Sequence, residues 1–172
     1  MNQTSRFTVI TRINFQGIDM RRLLISVLLL CSAGLTQATT IFDKNYTGVY
    51  KEYFATGQLK YEINVVNGKK QGIETFYYED GKPHIRTNYV DDLEDGVWNQ
   101  WFPDGRLKLE ANYKQGKEHG SFKLWYQNGQ LRTESFFENG KKVGKETSWF
   151  EDGKIKYVDE YKDGSIISHA EP

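Results

Sequence analysis

The sequence predicts an all-β fold: an elongated array of about five 24-residue β-hairpin repeats that form one continuous, twisted antiparallel sheet. Glycines recur every 24 residues from Gly48 to Gly144, and again from Gly57 to Gly153. Between them, short aromatic or alternating apolar runs flank turn triplets such as PDG and QNG, which is typical of hairpins. No long window of these repeats carries a helical period. Because one hairpin cannot bury its own rings, each repeat is expected to use its neighbours as a core.

The third repeat shows the elements of each unit. A first strand, GVWNQWF, ends in the aromatic pair Trp101 and Phe102. The turn PDG follows, and its glycine, Gly105, suits the left-handed bulge position of a three-residue hairpin loop. The second strand, LKLEANY, then alternates apolar and polar side chains with a period of two, as a half-buried strand does.

The turn also predicts a register and two faces. Residue 102 is expected to pair with 106, 101 with 107, and 100 with 108. One face is then the core side and carries Val97, Trp101, Leu107 and Leu109. The opposite face carries Trp98, Phe102, Lys108 and Glu110.

Repeated along the array, this opposite face presents three rows. The rings are Phe54, Tyr78, Phe102, Tyr126 and Phe150; the bases are Lys60, His84, Lys108, Arg132 and Lys156; the acids are Glu62, Glu110 and Glu134. In the third and fourth repeats Trp98 and Phe122 add further rings, where Glu74 and Glu146 stand in the flanking repeats.

Aromatic and arginine side chains are enriched at binding hot spots, so we hypothesise a partner-binding strip centred on the third and fourth repeats. The candidate binding residues are Tyr78, Trp98, Phe102, Lys108, Phe122, Tyr126 and Arg132. The alternative interpretation is that the rings pack under the stems of lysine and arginine, and that the charges only solvate the sheet.

Residues 1–38 have the pattern of a secretory signal peptide. From Met20 the chain reads MRRLLISVLLLCSAGLTQA. Two arginines are followed by a 13-residue apolar run, and small residues then lead to a predicted cleavage site after Ala38. The run is shorter than the roughly 20 residues of a membrane span, so no stable insertion is expected after cleavage; an uncleaved anchor is the alternative. Residues 1–19 are interpreted as a start-site artefact, with Met20 as the initiator. The chain is therefore predicted to be exported, either to the periplasm or outside the cell.

After the leader, residues 39–47 are predicted to form an N-terminal cap, 48–167 the array and 168–172 a frayed tail. The leader holds four arginines and one aspartate, which leaves 19 basic against 22 acidic residues after position 38. Without a basic excess, nucleic acid is not an expected partner. Cys31 is the only cysteine, so the array is expected to have no disulfide.

Sites of chemistry are sparse in the sequence. His84, His119 and His169 fall at different positions of the repeat and have no metal-ligand spacing. After the leader there is no cysteine nucleophile, no G-x-S-x-G and no phosphate-cradling glycine loop. The expectation is therefore a protein that is not an enzyme and has no metal or other cofactor.

The repeat unit G-x-[YWF]-x-x-[YWF]-[YF]-x-[DN]-G-x-L, clearest at Gly96–Leu107 and Gly120–Leu131, resembles the bacterial variant of the MORN repeat (membrane occupation and recognition nexus). The resemblance covers Gly48 to Ile167. It implies an elongated hairpin array that acts as an interaction module and has no catalytic residues. Many bacterial members look like antitoxin or immunity components, grouped as YwqK-family antitoxins. Pro83, Arg86 and Asp92 depart from the pattern and make the second repeat the irregular one.

Two functions follow as hypotheses. The first is an exported, non-enzymatic repeat protein of the antitoxin or immunity type, which sequesters a partner protein such as a toxin. The second is a module that binds envelope glycan, peptidoglycan or lipid headgroups through the same strip, because stacked rings and polar ladders also suit sugars. The oligomeric state is left open, since unpaired sheet edges invite association.

Overall fold

The computed structural model describes residues 42–172, and this part of the chain contains strands and turns but no helix. The predicted all-β hairpin array is confirmed. The thirteen strands are β1 (Gly48–Tyr53), β2 (Leu59–Val66), β3 (Lys69–Lys70), β4 (Gly72–Tyr77), β5 (Pro83–Val90), β6 (Leu93–Glu94), β7 (Gly96–Trp101), β8 (Leu107–Lys114), β9 (Lys117–Trp125), β10 (Leu131–Glu138), β11 (Lys141–Trp149), β12 (Ile155–Lys162) and β13 (Ser165–Ala170). Within this range no helix is long and apolar enough to cross a membrane.

All the strands belong to one open antiparallel sheet, whose order follows the chain from β1 to β13. The short strands β3 and β6 pair with β2 and β5, and lie off the main path. Five repeats each contain one hairpin: β1–β2, β4–β5, β7–β8, β9–β10 and β11–β12. Short turns join each strand to its neighbour, as antiparallel pairing permits.

The hairpin turn has the predicted geometry in every repeat. In the third repeat the Phe102 amide donates to the Arg106 carbonyl at 2.8 Å, and the Gly105 amide donates to the Phe102 carbonyl at 2.9 Å. Gly105 has φ +90°, the left-handed region that glycine occupies without steric cost. Trp101 pairs with Leu107, so this part of the predicted register is confirmed.

The next step of the predicted register is wrong. Gln100 pairs with Leu109 rather than with residue 108, because the second strand contains a β-bulge. The same shift occurs in the other four hairpins. The extra residues are Lys60, His84, Lys108, Arg132 and Lys156, which are the complete row of bases identified in the sequence. A bulge bends the strand, moves the following residues by one position of the pleat and re-aims a side chain.

The bulge exchanges residues between the two predicted faces. Leu109 lies on the face of Trp98, and Glu110 lies on the face of Val97 and Trp101, because directly paired residues share a face. The predicted core side is also wrong, since Val97 is 44% exposed. The buried hydrophobic residues lie on the Trp98 face, which we name the core face, and are Tyr61, Ile63, Val65 and Ala111.

The other face, which we name the charged face, carries the acids of the second strands. Glu62 lies 3.4 Å from Lys51, and it accepts a 2.6 Å hydrogen bond from the Tyr77 hydroxyl. That hydrogen bond is the main cause of a lowered pKa at Glu62. On the same face the Arg86 guanidinium lies 5.8 Å from the centre of the Trp101 ring. The acid row is therefore part of an ion-pair surface. The prediction that it shares a face with the ring row is wrong.

Residues 42–47 cover the start of the array. The Phe42 ring packs at 5.2 Å from that of Tyr50, and the Tyr46 carbonyl accepts a 2.8 Å hydrogen bond from the Gly68 amide. This segment lies within the predicted cap, and it contacts both the first strand and the turn after β2. The rest of the predicted cap and the predicted leader, residues 1–41, lie outside the described residues.

The end of the array extends further than the predicted boundary at residue 167. Ser168, His169 and Ala170 belong to β13 and pair with β12, so the prediction of a frayed tail is wrong for these residues. His169 Nδ1 lies 2.5 Å from Oδ1 of Asp159, whose side chain is buried on the core face. A buried carboxylate thus gives the last strand a specific attachment.

This attachment makes the docking of β13 depend on pH. The hydrogen bond to Asp159 raises the pKa of His169 above its usual value of about 6.5. For a histidine with a raised pKa, the added stability is complete below the unfolded value and is lost as the pH rises through the folded value. We expect amide protection in β13 to fall between pH 6 and pH 8 relative to β9, measured by hydrogen exchange corrected for intrinsic rates. His169→Gln should remove the pH dependence, and identical profiles for the two proteins would refute the assignment.

Candidate functional site

The bulges align a row of bases with the row of rings at the hairpin ends. The His84 and Tyr78 rings stack with their centres 4.3 Å apart. In the next three repeats the base lies over the ring, at 5.7 Å for Lys108 and Phe102, 5.6 Å for Arg132 and Tyr126, and 5.9 Å for Lys156 and Phe150. We name these four pairs the hairpin-end strip. A bulge at the same place in every hairpin therefore produces a ladder of pairs between a basic side chain and an aromatic ring.

The strip lies on the core face. Nε2 of His84 is 3.3 Å from Nε2 of Gln100, and Gln100 pairs with Ile85 and Leu109 on that face. Burial, and to a smaller extent the nearby Lys108 charge, lowers the pKa of His84. The lowered pKa favours the neutral form of the His84 ring, which is consistent with its stacking on Tyr78.

Two rings of the strip also join neighbouring repeats. The Tyr78 hydroxyl donates to the Trp101 carbonyl at 2.7 Å, and the Tyr126 hydroxyl donates to the Trp149 carbonyl at 3.0 Å. Phe102 has no such bond, since it lacks a hydroxyl. The packing of rings under bases, proposed as the alternative from the sequence, is thus present, and Tyr78 and Tyr126 stabilise the array itself.

Trp98 and Phe122 lie on the same face, further along the strands. Both pair directly with Ala111, which is buried between them. The small side chain leaves room for a large ring on each side, and the Phe122 ring is also 5.8 Å from that of Phe137. The core face thus carries all seven predicted binding residues. Five of them form the centre of the hairpin-end strip, and the other two flank Ala111.

A second row on the core face was missed in the sequence. It crosses the sheet at the ends of the hairpins opposite the strip, and we name it the turn-end row. Its members alternate between charged and aromatic side chains: after Lys70, which pairs with Val65, each charged residue pairs with a ring on the preceding strand. In order they are Lys70, Tyr89, Glu94, Tyr113, Glu118, Phe137, Lys142 and Tyr161.

At the two ends of the turn-end row, a lysine is held by its own repeat. Lys70 Nζ lies 2.5 Å from Oε1 of Glu74 and 4.7 Å from the centre of the Tyr89 ring. Glu74 also accepts a 2.7 Å hydrogen bond from the Tyr61 hydroxyl. In the fifth repeat Lys142 binds Glu146 and lies 5.0 Å from the centre of the Tyr161 ring.

The middle of the turn-end row is acidic. Burial raises the pKa of Glu94 to about 7, and the nearby Glu74 and Glu118 carboxylates add to the shift, while Lys70 opposes it. Burial likewise raises the pKa of Glu118, with Lys142 opposing the shift. Comparing the sequence at a 24-residue interval would have revealed this change, since positions 70, 94, 118 and 142 read Lys, Glu, Glu, Lys.

Other chemistry is limited in the part of the chain from residue 42 onward. There, no group of three or more His, Cys, Asp or Glu side chains is arranged to hold a metal ion. Among the side chains of residues 42–172, two buried polar atoms have no hydrogen-bond partner, namely Nδ1 of His119 and Oγ of Ser135. Ser135 pairs directly with Phe122, so its side chain belongs to the core face.

An open sheet of in-register hairpins, with rings and charges repeated along one face, defines a repeat-based binding module. The family model for the MORN repeat variant matches residues 46–67, 70–91, 94–115, 118–139 and 142–163. These blocks start 24 residues apart and together cover more than half of the chain. The chain belongs to the MORN repeat variant family.

No curated protein matches the chain. Among solved structures, it is similar to a crystal structure of TarM and to one of an S. aureus TarM point mutant in complex with Fondaparinux, alpha-GlcNAc-glycerol and UDP. The identities are 17% and 15%, over 71% and 72% of this chain, and both TM-scores are 0.36. The chain spans only 23% of the length of either structure, so no property of TarM is transferred to it.

Proposed function

We propose that this protein is an exported, non-enzymatic binding protein of the antitoxin or immunity type, which sequesters a partner protein on its core face. The observation that supports this proposal best is the hairpin-end strip, in which a bulge aims a basic side chain at an aromatic ring in one repeat after another. Aromatic rings and arginine are the side chains that most often dominate protein–protein binding energy. The repeats present them in a regular row.

The dimensions of the strip suit a protein partner. Two strands per repeat, about 4.8 Å apart, separate successive pairs by about 10 Å, so the four pairs extend over about 30 Å. A row of that length matches one side of a standard interface of about 800 Å² per partner. Export is supported by the leader pattern of residues 1–38, and a non-enzymatic role by the lack of a catalytic motif in the repeats.

The test begins with affinity capture of the full-length protein from its native envelope and identification of what it retains. The affinity of the purified partner is then measured for a Phe102→Ala/Lys108→Ala variant. We expect its affinity to fall at least tenfold, because loss of two hot-spot side chains typically costs that much or more. Phe102 is preferred to Tyr126 because it has no hydrogen bond to a neighbouring repeat.

The matched control is Val97→Ser, an exposed apolar residue of the same repeat on the charged face. We expect its affinity to change less than twofold, and the far-UV spectrum to be unchanged in both variants. Equal affinity of the strip variant and the wild type would refute the strip as the interface. Retention of peptidoglycan or lipid vesicles without any protein partner would assign the strip to glycan or headgroup binding instead.

A further inference from the structure

The second and fifth repeats show how this fold holds an ammonium group. In each of them a lysine of the turn-end row lies against the carboxylate four residues later and over a tyrosine ring. The carboxylate is buried, with Glu74 only 3% exposed. A carboxylate and an aromatic ring in an apolar environment together form a complete binding site for one primary ammonium group.

The third and fourth repeats keep the aromatic ring of that site, at Tyr113 and Phe137, but have no lysine in it. Glu94 and Glu118 stand where the flanking repeats have Lys70 and Lys142. Rings replace the carboxylates four residues later, at Trp98 and Phe122. Within residues 42–172, no lysine, arginine or histidine forms an ion pair with either Glu94 or Glu118, whereas Glu74 and Glu146 each have a lysine. The two middle repeats therefore present carboxylates and rings without a directly paired cation, although Lys70 and Lys142 of the flanking repeats lie close enough to act on Glu94 and Glu118 through their charge.

The raised pKa of Glu94 indicates that too little positive charge lies near it to stabilise the ionised carboxylate. Burial and the neighbouring carboxylates raise the pKa of Glu94 to about 7, so in the free protein its charge is poorly compensated. A second, independent observation comes from Ser135, which is 1% exposed and lies on the same face directly opposite Phe122. Its hydroxyl has no hydrogen-bond partner in the described part of the chain, so a polar group with unsatisfied hydrogen bonding lies beside Phe122 on the core face.

We propose that Glu94 and Glu118 bind lysine or arginine side chains of the partner protein, whose alkyl stems lie against the rings of Trp98 and Phe122. The partner's cations take the positions that Lys70 and Lys142 occupy in the flanking repeats. The inference rests on the proposed function in one respect only, that the cation comes from a protein.

The chemistry favours a basic side chain over a metal ion. Calcium takes six to eight oxygen ligands and magnesium six, whereas each middle repeat offers one carboxylate, Glu94 or Glu118, beside aromatic rings, and no group of three His, Cys, Asp or Glu side chains within residues 42–172 is arranged to hold a metal ion. Rings stabilise an organic cation through their negative faces and also cover its methylene groups. The surface thus recognises a charged group carried on an apolar stem.

The test uses small probes, so it does not depend on knowing the partner. The full-length protein is titrated at pH 8 with Nα-acetyl-lysine methylamide, and separately with Nα-acetyl-arginine methylamide, while indole NMR signals are followed. We expect saturable shifts of the Trp98 indole with affinity of millimolar order, as for one or two desolvated cation contacts. The Trp101 indole, on the charged face, serves as the internal control and should not shift.

The uncharged probe Nα-acetyl-norleucine methylamide should bind at least tenfold more weakly. Lowering the pH from 8 to 6 should weaken lysine binding by up to about tenfold, as Glu94 becomes protonated. The groups that face Glu94 include Glu74, Glu118 and Lys70, so this pH effect belongs to the cluster as a whole.

Two variants complete the test. Glu94→Gln/Glu118→Gln should weaken lysine binding at least tenfold, whereas Glu110→Gln on the charged face should leave it unchanged. The variant E118K/F122E gives the fourth repeat the flanking pattern and should fill its site with an internal lysine, again lowering binding. The proposal is overturned if the charged and uncharged probes shift Trp98 equally, or if Glu94→Gln/Glu118→Gln binds lysine like the wild type. Failure of the partner-capture experiment with intact probe binding would instead reject only the proposed function.

Discussion

Replacing Lys70 with methionine is expected to destabilise the protein by about 3 kcal/mol, since removing one partner of a buried ion pair leaves a buried charge uncompensated. Glu74 is 3% exposed, and after the substitution it would keep the hydrogen bond from the Tyr61 hydroxyl but lose its cation. Urea denaturation followed by tryptophan fluorescence measures the change. Adding Glu74→Gln to Lys70→Met should recover part of the loss, because a neutral amide costs less to bury than a carboxylate.

The matched control is Lys51→Met on the charged face. Lys51 and Glu62 form a comparable pair at 3.4 Å, but their side chains are 42% and 30% exposed. Exposed pairs contribute roughly 0–1 kcal/mol, so the loss should be well below that of Lys70→Met. Equal losses for the two lysine variants would mean that burial on the core face does not set the strength of these pairs.

Gly68→Ala is expected to be similarly severe, at about 3 kcal/mol, because it combines a strained backbone with a steric clash. Gly68 has φ +76°, and a Cβ built on it would lie 2.7 Å from both the Asp43 carbonyl oxygen and Lys44 Cα. Both are backbone atoms of the segment that covers the first repeat, so this segment must move away. Thermal unfolding followed by circular dichroism measures the loss.

Gly140→Ala separates the two causes. Gly140 occupies the equivalent turn three repeats later with φ +82°, and nothing lies within 4 Å of its Cβ position. Only the backbone term remains, which is about 1 kcal/mol. If both alanine variants lost the same stability, the contact between the cap segment and the turn would not exist in solution.

The fold was largely predictable because its main determinants are local. Glycines at a fixed interval and turn triplets with glycine in third place define the hairpins, and the resulting pairing of residue 102 with 106 is found in the structure. The bulge was not predictable from alternation alone, since Lys108 occupies an ordinary polar position between Leu107 and Leu109. Only a base at the same offset from the turn in all five repeats signalled that this position differs from the rest of its strand.

The site was predictable to the extent that it repeats. The rings and bases of the hairpin-end strip recur at one position, so the sequence showed them as rows. Glu94 and Glu118 were missed for the opposite reason. A glutamate beside a glycine turn resembles a solvated residue, and its burial depends on the packing of neighbouring hairpins, which the sequence of one repeat does not contain.

The order of the strands has a consequence for how the protein folds and opens. Every hydrogen-bonded strand pair joins segments that are close along the chain, so the relative contact order is low and little loop-closure entropy opposes folding. In such a linear array the outermost strands of the main path, β1 and β13, have a neighbouring strand on one side alone, so fraying should start there. Ala111 and the two rings that enclose it lie in the interior hairpins, and should therefore survive denaturing stress longest.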